Sequence, residues 1–239
     1  DRDNTGEMVG YQAIRYIADT MKTIRIPLLF ALSLIVACTA EEAPPQESAP
    51  QETVLVTQGT APTVAYVEVT TTAGSFTLQL DGRAAPLTVA HFLKNVNSGF
   101  YKGTVFHRII PGFMIQGGGY DEEFNLRETA ETIPNESGNG LGNMRGTIAM
   151  ARTQDPHSAN TQFYINVVNN VNDDPTTAGL DPVKHESAGR WGYTVFGEVV
   201  EGMDVVDLIA QYETEPNGPG GAPAPIIPVI IENMTRVQP

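Results

Sequence analysis

The stretch Phe106-His107-Arg108-Ile109-Ile110-Pro111-Gly112-Phe113-Met114-Ile115-Gln116-Gly117-Gly118 sets one guanidinium and one carboxamide among large apolar side chains. A guanidinium is permanently charged and presents several donors in a fixed fork. Phe113 and Met114 supply broad apolar area, and methionine adapts its shape to what it meets. Such a set suits a ligand gripped by an apolar group while a donor acts on a neighbouring polar atom. Taken singly, Arg108 reads as half of a surface ion pair, and Phe113 and Met114 read as core. Other chemistries are poorly served. His91, His107, His157 and His185 show no HExxH or clustered spacing, so no metal site is expected. Gly117-Gly118-Gly119 lacks the Lys-Ser/Thr of a phosphate loop, and no serine nucleophile motif is visible.

The elements that must position this set are short. Val64, Tyr66, Glu68 and then Phe76, Leu78, Leu80 alternate around Thr72-Ala73-Gly74, which predicts a hairpin. Pro86 opens a helix with Leu87, Ala90, Leu93 (or Phe92) and Val96 as its apolar stripe, and Gly99 follows its end. Short apolar strands are predicted at 104–110, 113–116, 146–151, 162–168 and 193–199. A second helix is expected from about Met203 to Tyr212, with Val206, Ile209 and Ala210 on one face. A last strand is expected over 226–234, with Pro228 at an edge or bulge. Seven or eight short strands with two helices predict a mainly β chain, a closed antiparallel barrel. By strand alternation His107 faces away from Arg108 and is read as structural.

The motif resembles the cyclophilin family of peptidyl-prolyl cis/trans isomerases. Gly146-Thr147-Ile148-Ala149-Met150-Ala151-Arg152, Asn160-Thr161-Gln162-Phe163-Tyr164-Ile165 and Val195-Phe196-Gly197-Glu198-Val199 follow in the family's order, and the likeness runs from about Ala65 to Val237. Pro156-His157-Ser158-Ala159 and Trp191-Gly192-Tyr193 look more like bacterial single-domain members. The resemblance implies an eight-stranded antiparallel β-barrel capped by two α-helices. It implies isomerisation of X–Pro bonds without nucleophile, metal or cofactor, on proline-containing polypeptides. Arg108 takes the catalytic position. Phe113, Met114 and Tyr164 match the lining of the proline pocket, with Tyr164 adding a hydroxyl where Phe is usual. Gln116 matches the residue that holds substrate backbone and orients the arginine. Ala151 and Arg152 match the strand beside which the peptide lies, Gln162 a neighbouring specificity pocket, and Tyr193 a rim position often held by His. Gly119 stands where most members carry Asp. Many members carry Trp or Phe at a place that falls near Asn172 here, which implies weak cyclosporin binding, and 169–190 is longer than in compact bacterial members. A proline-binding chaperone or scaffold module is the alternative reading.

The 239 residues carry 14 Lys+Arg against 28 Asp+Glu, a net charge of −14, which speaks against nucleic acid as a partner. Hydrophobic residues make up 41% of the chain, enough for a core, and the single cysteine excludes an intramolecular disulfide framework. Residues 1–37 are charge-balanced, so the negative excess lies after Ala37. Lys22 and Arg25 precede the apolar run Ile26 to Ala37, too short to span a bilayer but suited to a secretory signal. The run ends at Ile35-Val36-Ala37-Cys38, which resembles the lipobox of bacterial lipoproteins, cut before the cysteine that then carries lipid. The expected organisation is an over-extended N-terminus at 1–20, a lipoprotein signal at 21–37, an acidic Pro-rich tether at 38–62, and the isomerase domain at 63–239. The mature protein is expected to be a monomer, lipidated at Cys38 on a bacterial membrane. Thr39 after the cysteine slightly favours the periplasmic face of the outer membrane, if the source is Gram-negative.

Overall fold

Strand alternation builds the scaffold. In the computed structural model the described residues are 61–171, 179–181 and 191–238. All of them belong to one compact unit, Val54–Pro239. The expected leader, signal, Cys38 and nearly all of the tether lie outside the described residues. β1 (Val64–Thr71) and β2 (Gly74–Asp81) pair in register from Val64↔Asp81 to Thr71↔Gly74. Their inward sets are Ala65, Val67, Val69 and Phe76, Leu78, Leu80, so in β1 it is Val64, Tyr66 and Glu68 that form the outer face.

α1 (Pro86–Asn97) begins with proline in the first turn, where a missing N–H costs nothing. No side chain within the helix caps it. Instead Glu136, from a distant loop, accepts from Leu87 N at 3.1 Å, Thr88 N at 2.9 Å and Thr88 Oγ1 at 2.7 Å. A carboxylate there answers both the orphan donors and the helix dipole. The buried stripe is Val89, Phe92, Leu93 and Val96, while the expected Leu87 is 41% exposed. The predicted stripe started too early because the Pro-led first turn lies over the Glu136 loop.

The remaining elements are β3 (Phe106–Ile110), β4 (Met114–Gly117), β5 (Thr147–Met150), β6 (Phe163–Asn166), β7 (Val195–Glu201), α2 (Met203–Ala210), β8 (Thr214–Glu215), β9 (Ala224–Pro225) and β10 (Ile231–Val237). Val206, Ile209 and Ala210 form the buried face of α2, as its spacing indicates. Gly202 precedes α2 with φ +77, and a Cβ there would lie 2.6 Å from Ser75 O. The last strand differs from expectation. It starts at Ile231 rather than Ile226, because Pro228 lacks the N–H group a ladder needs and Ile226 N is spent on Glu213 O beside the β8–β9 pair.

The antiparallel strands form one eight-stranded sheet in the order β10-β1-β2-β7-β5-β6-β4-β3, and β8-β9 make a separate pair. The expectation of a fully closed barrel is overstated. β3 and β10 are the two edges, and the seam between them carries a single bridge, Val105↔Ile230. It is stitched by Phe106 N to Val229 O at 3.0 Å, Gly103 N to Ile231 O at 2.8 Å and Ile231 N to Thr104 O at 2.7 Å. Inside, Phe163 packs edge-on against Phe92, Tyr101 and Phe106 at centroid distances of 5.8, 5.7 and 6.1 Å. Among the described residues no helix is long and apolar enough to cross a membrane.

Candidate active site

The β3–β4 pair positions the arginine through an irregularity. Phe106 faces Gly117 and Arg108 faces Gln116, so His107 is an extra residue, a bulge. Phe106 and Ile109 are both fully buried in the interior, although residues three apart in a regular strand face opposite sides. The bulge absorbs that mismatch and leaves Arg108 half-buried on the outer surface, opposite Gln116. Strict alternation, the basis for placing His107 opposite Arg108, does not hold at this step. His107 is 3% exposed, and its Nδ1 has no hydrogen-bond partner. Burial pushes its pKa down to about 4, against weaker opposing help from the Val105 backbone and Gln162, with the Arg108 charge adding to the fall.

Arg108 Nη1 donates to Gln116 Oε1 at 3.2 Å and approaches Met114 Sδ at 4.0 Å. Gln116 Nε2 in turn donates to Gln162 Oε1 at 3.0 Å. The two amides therefore form a chain that holds the guanidinium from behind. Gln162 can lie there because residue 119 is glycine: a Cβ would sit 2.3 Å from Gln162 Cγ. Among the described residues the ion pairs are His91–Glu131, Lys94–Glu131 and Arg145–Asp207, and Arg108 is in none. The surface ion-pair reading would require a carboxylate partner, and none of the described residues supplies one.

Around this fork lies a cleft of about 240 Å³ lined by Arg108, Phe113, Met114, Gln116, Ala151, Arg152, Tyr164, Leu180 and Tyr193. Eight of these nine were singled out in the sequence; Gln162 stands one step behind, through Gln116. Leu180 was missed. It is a lone leucine in a polar stretch, and that isolation was the available signal. Asn172, where the missing aromatic was placed, lies outside the described residues. A second cavity of about 250 Å³ is lined by Tyr212, Glu213, Ile226 and Ile227.

Comparison with known proteins settles the lineage. Residues 66–236 match the family described as cyclophilin type peptidyl-prolyl cis-trans isomerase/CLD. The chain belongs to the cyclophilin family. It is 46% identical over 178 residues to peptidyl-prolyl cis-trans isomerase A of Dickeya dadantii, covering 74% of this chain and 87% of the relative. It is 52% identical over 151 residues to peptidyl-prolyl cis-trans isomerase B of Escherichia coli, covering 63% of this chain and 87% of the relative. The fold matches the crystal structure of a Cryptosporidium parvum cyclophilin at a TM-score of 0.56 and 23% identity, covering 74% of this chain and 99% of that one. A second crystal structure of that Cryptosporidium parvum protein, in the presence of the dipeptide Ala-Pro, matches at a TM-score of 0.55 and 23% identity.

Two rim residues of this cyclophilin are tied inward. Arg152 Nη1 donates to Thr153 O at 2.8 Å, Nη2 to Trp191 O at 2.8 Å and Nε to Gly192 O at 3.3 Å. Its guanidinium also stacks 4.5 Å from the Tyr193 ring. Arg152 thus braces the 191–193 segment, and what it offers the cleft is mainly the face of the stacked pair. Tyr164 forms the floor, edge-on to Tyr193 at 5.7 Å. Burial, reinforced by Tyr193 and the Asp181 carboxylate, raises the Tyr164 pKa well above that of an ordinary phenol, so its hydroxyl stays protonated. Among the described residues no group of three or more His, Cys, Asp or Glu is arranged to hold a metal ion.

Proposed function

We propose that this cyclophilin accelerates cis/trans isomerisation of X–Pro bonds in exported or unfolded polypeptides by stabilising the twisted amide electrostatically. The barrier to that rotation is roughly 18–20 kcal/mol, because amide resonance resists twisting. Twisting ends the resonance and localises a lone pair on the prolyl nitrogen. A donor aimed at that nitrogen favours the twisted state over either planar one. No bond is made or broken and no proton needs to leave the enzyme.

The observation that carries this reading is Arg108 itself. The bulge turns it outward at the edge of an apolar cleft, Gln116 and Gln162 hold it from behind, and among the described residues no carboxylate pairs with it. Phe113, Met114, Tyr164 and Leu180 supply the apolar surface for the proline ring. Ala151, just past the end of β5, suits an extended backbone lying alongside, and Gln116 lines the cleft where it can meet a substrate carbonyl or N–H. An NMR exchange or protease-coupled assay on a short Ala-Pro peptide tests it. Exchange well above the uncatalysed rate is expected. Binding without acceleration would leave the chaperone or scaffold reading in its place.

The location proposed for this activity is the extracytoplasmic face of a bacterial membrane, through lipid on Cys38, with the domain acting as a monomer at the end of the 38–62 tether. The basic start, the short apolar run and the small residue before the cysteine support it. Mass analysis of the mature N-terminus is the test: acylated Cys38 is expected, and an unmodified chain retaining 21–37 would refute the anchor.

A further inference from the structure

Leu180 is the one cleft-lining residue far from any strand or helix, so something other than a ladder must hold it. The backbone gives two links, Leu180 N to Asn170 O at 3.3 Å and Tyr193 N to Leu180 O at 2.9 Å. The stronger attachment is the next side chain. Asp181 Oδ1 accepts from Asn143 N at 2.9 Å and from Asn143 Nδ2 at 2.7 Å. Asn143 is fully buried, and its other side-chain atom is engaged as well. Its Oδ1 accepts from the Tyr164 hydroxyl at 2.7 Å and from Asn166 Nδ2 at 3.2 Å. Its backbone carbonyl accepts from Asn170 N at 2.7 Å. Asn143 therefore joins the floor of the cleft to the segment that carries its wall.

The direction of these bonds is set by the carboxylate. A carboxylate only accepts, so Asn143 must turn its NH₂ toward Asp181 and its oxygen toward Tyr164. The Tyr164 hydroxyl must then donate, which a buried phenol that keeps its proton can do. A phenylalanine at 164 would have no group to join this chain. We propose that Asp181 is a positioning residue that acts through Asn143 to set the distance between the Leu180 wall and the Tyr164 floor of the proline pocket. This rests on the isomerase reading of the cleft and names the residues that shape it.

Three variants test it: Asp181→Ala, Asp181→Asn and Tyr164→Phe, with the Asp181→Ala/Tyr164→Phe double variant. Asp181→Ala removes the acceptor and is expected to lower kcat/KM about tenfold, chiefly through KM, because the pocket and not the guanidinium is disturbed. Asp181→Asn keeps an oxygen for both Asn143 donors and is expected to restore most of that loss. Tyr164→Phe cuts the same chain at its other end, so in the Asp181→Ala background it should add little. Affinity for an Ala-Pro peptide, read by NMR titration on wild type and these four variants, should follow the same pattern. Wild-type KM in Asp181→Ala, equal damage in Asp181→Asn, or additive losses in the double variant would each overturn the proposal. A wild type that binds the peptide without speeding exchange would overturn the isomerase reading instead, and the titration would still judge Asp181.

Discussion

Phe163 and Tyr164 are consecutive residues of β6, both buried, yet they belong to different apolar clusters. Phe163 points into the barrel with Phe92, Tyr101 and Phe106, held by regular ladders on every side. Tyr164 points outward to Met114, Ala149 and Val195, covered by Phe113, Leu180 and Tyr193, which are themselves only partly buried. The inner cluster is closed and hydrocarbon-rich. The outer one is bordered by a guanidinium, two carboxamides and a hydrogen-bonded pair of buried Asn143 and half-buried Asp181. One sheet thus carries a core on one face and a partly uncovered binding surface on the other, and substitutions on the two faces should be felt in different measurements.

The largest difference is expected from paired truncations. Phe163→Ala opens a cavity in the closed cluster and is expected to cost about 3–5 kcal/mol of unfolding free energy in denaturant titration. Phe113→Ala, on the open side, should leave the unfolding midpoint nearly unchanged and instead lower kcat/KM. A large stability loss from Phe113→Ala would erase the distinction between the clusters.

His107, the bulged residue next to Arg108 in β3, makes the comparison depend on pH. Its folded pKa, about 4, lies below the ordinary 6.5. The unfolded chain therefore binds a proton first as pH falls. Its contribution to stability is intact above pH 6.5 and declines toward about pH 4, by up to about 3 kcal/mol. Denaturant titrations of wild type and His107→Gln across this window should show a shallower acid loss in the variant. Parallel curves would mean that the imidazole titrates normally.

A smaller effect should come from Gly119→Ala. The added Cβ would meet Gln162, and that side chain must move. The expected result is a several-fold loss of kcat/KM with little change in melting temperature, because only the amide chain behind Arg108 is disturbed. Unaltered kinetics would show that Gln162 is dispensable for holding the guanidinium.

The sequence made much of this legible, for physical reasons. Alternation in β2 and the face of α2 are direct consequences of period and burial. Eight of the nine cleft-lining residues fall in compact motifs, since short strands must bring them together. The rest depended on tertiary structure. The outward turn of Arg108 needs a bulge, which no local pattern announces. The late start of β10 follows in part from pairing of Ala224–Pro225 with Thr214–Glu215, a short contact that no strand pattern signals. The first turn of α1 is satisfied by Glu136, nearly fifty residues away. Leu180 and Arg152 take their roles from long-range hydrogen bonds, to Asn143 through Asp181 and to the carbonyls of 191 and 192.

The central claim is that Arg108 lowers the barrier rather than merely holding the peptide. NMR exchange on an Ala-Pro peptide, with affinity measured in the same samples, separates the two for wild type and Arg108→Ala. The expected result is a peptide still bound by Arg108→Ala, with its catalysed exchange rate reduced about 100-fold or more at saturation. Near wild-type exchange at saturation, with only affinity lost, would contradict the role assigned to Arg108.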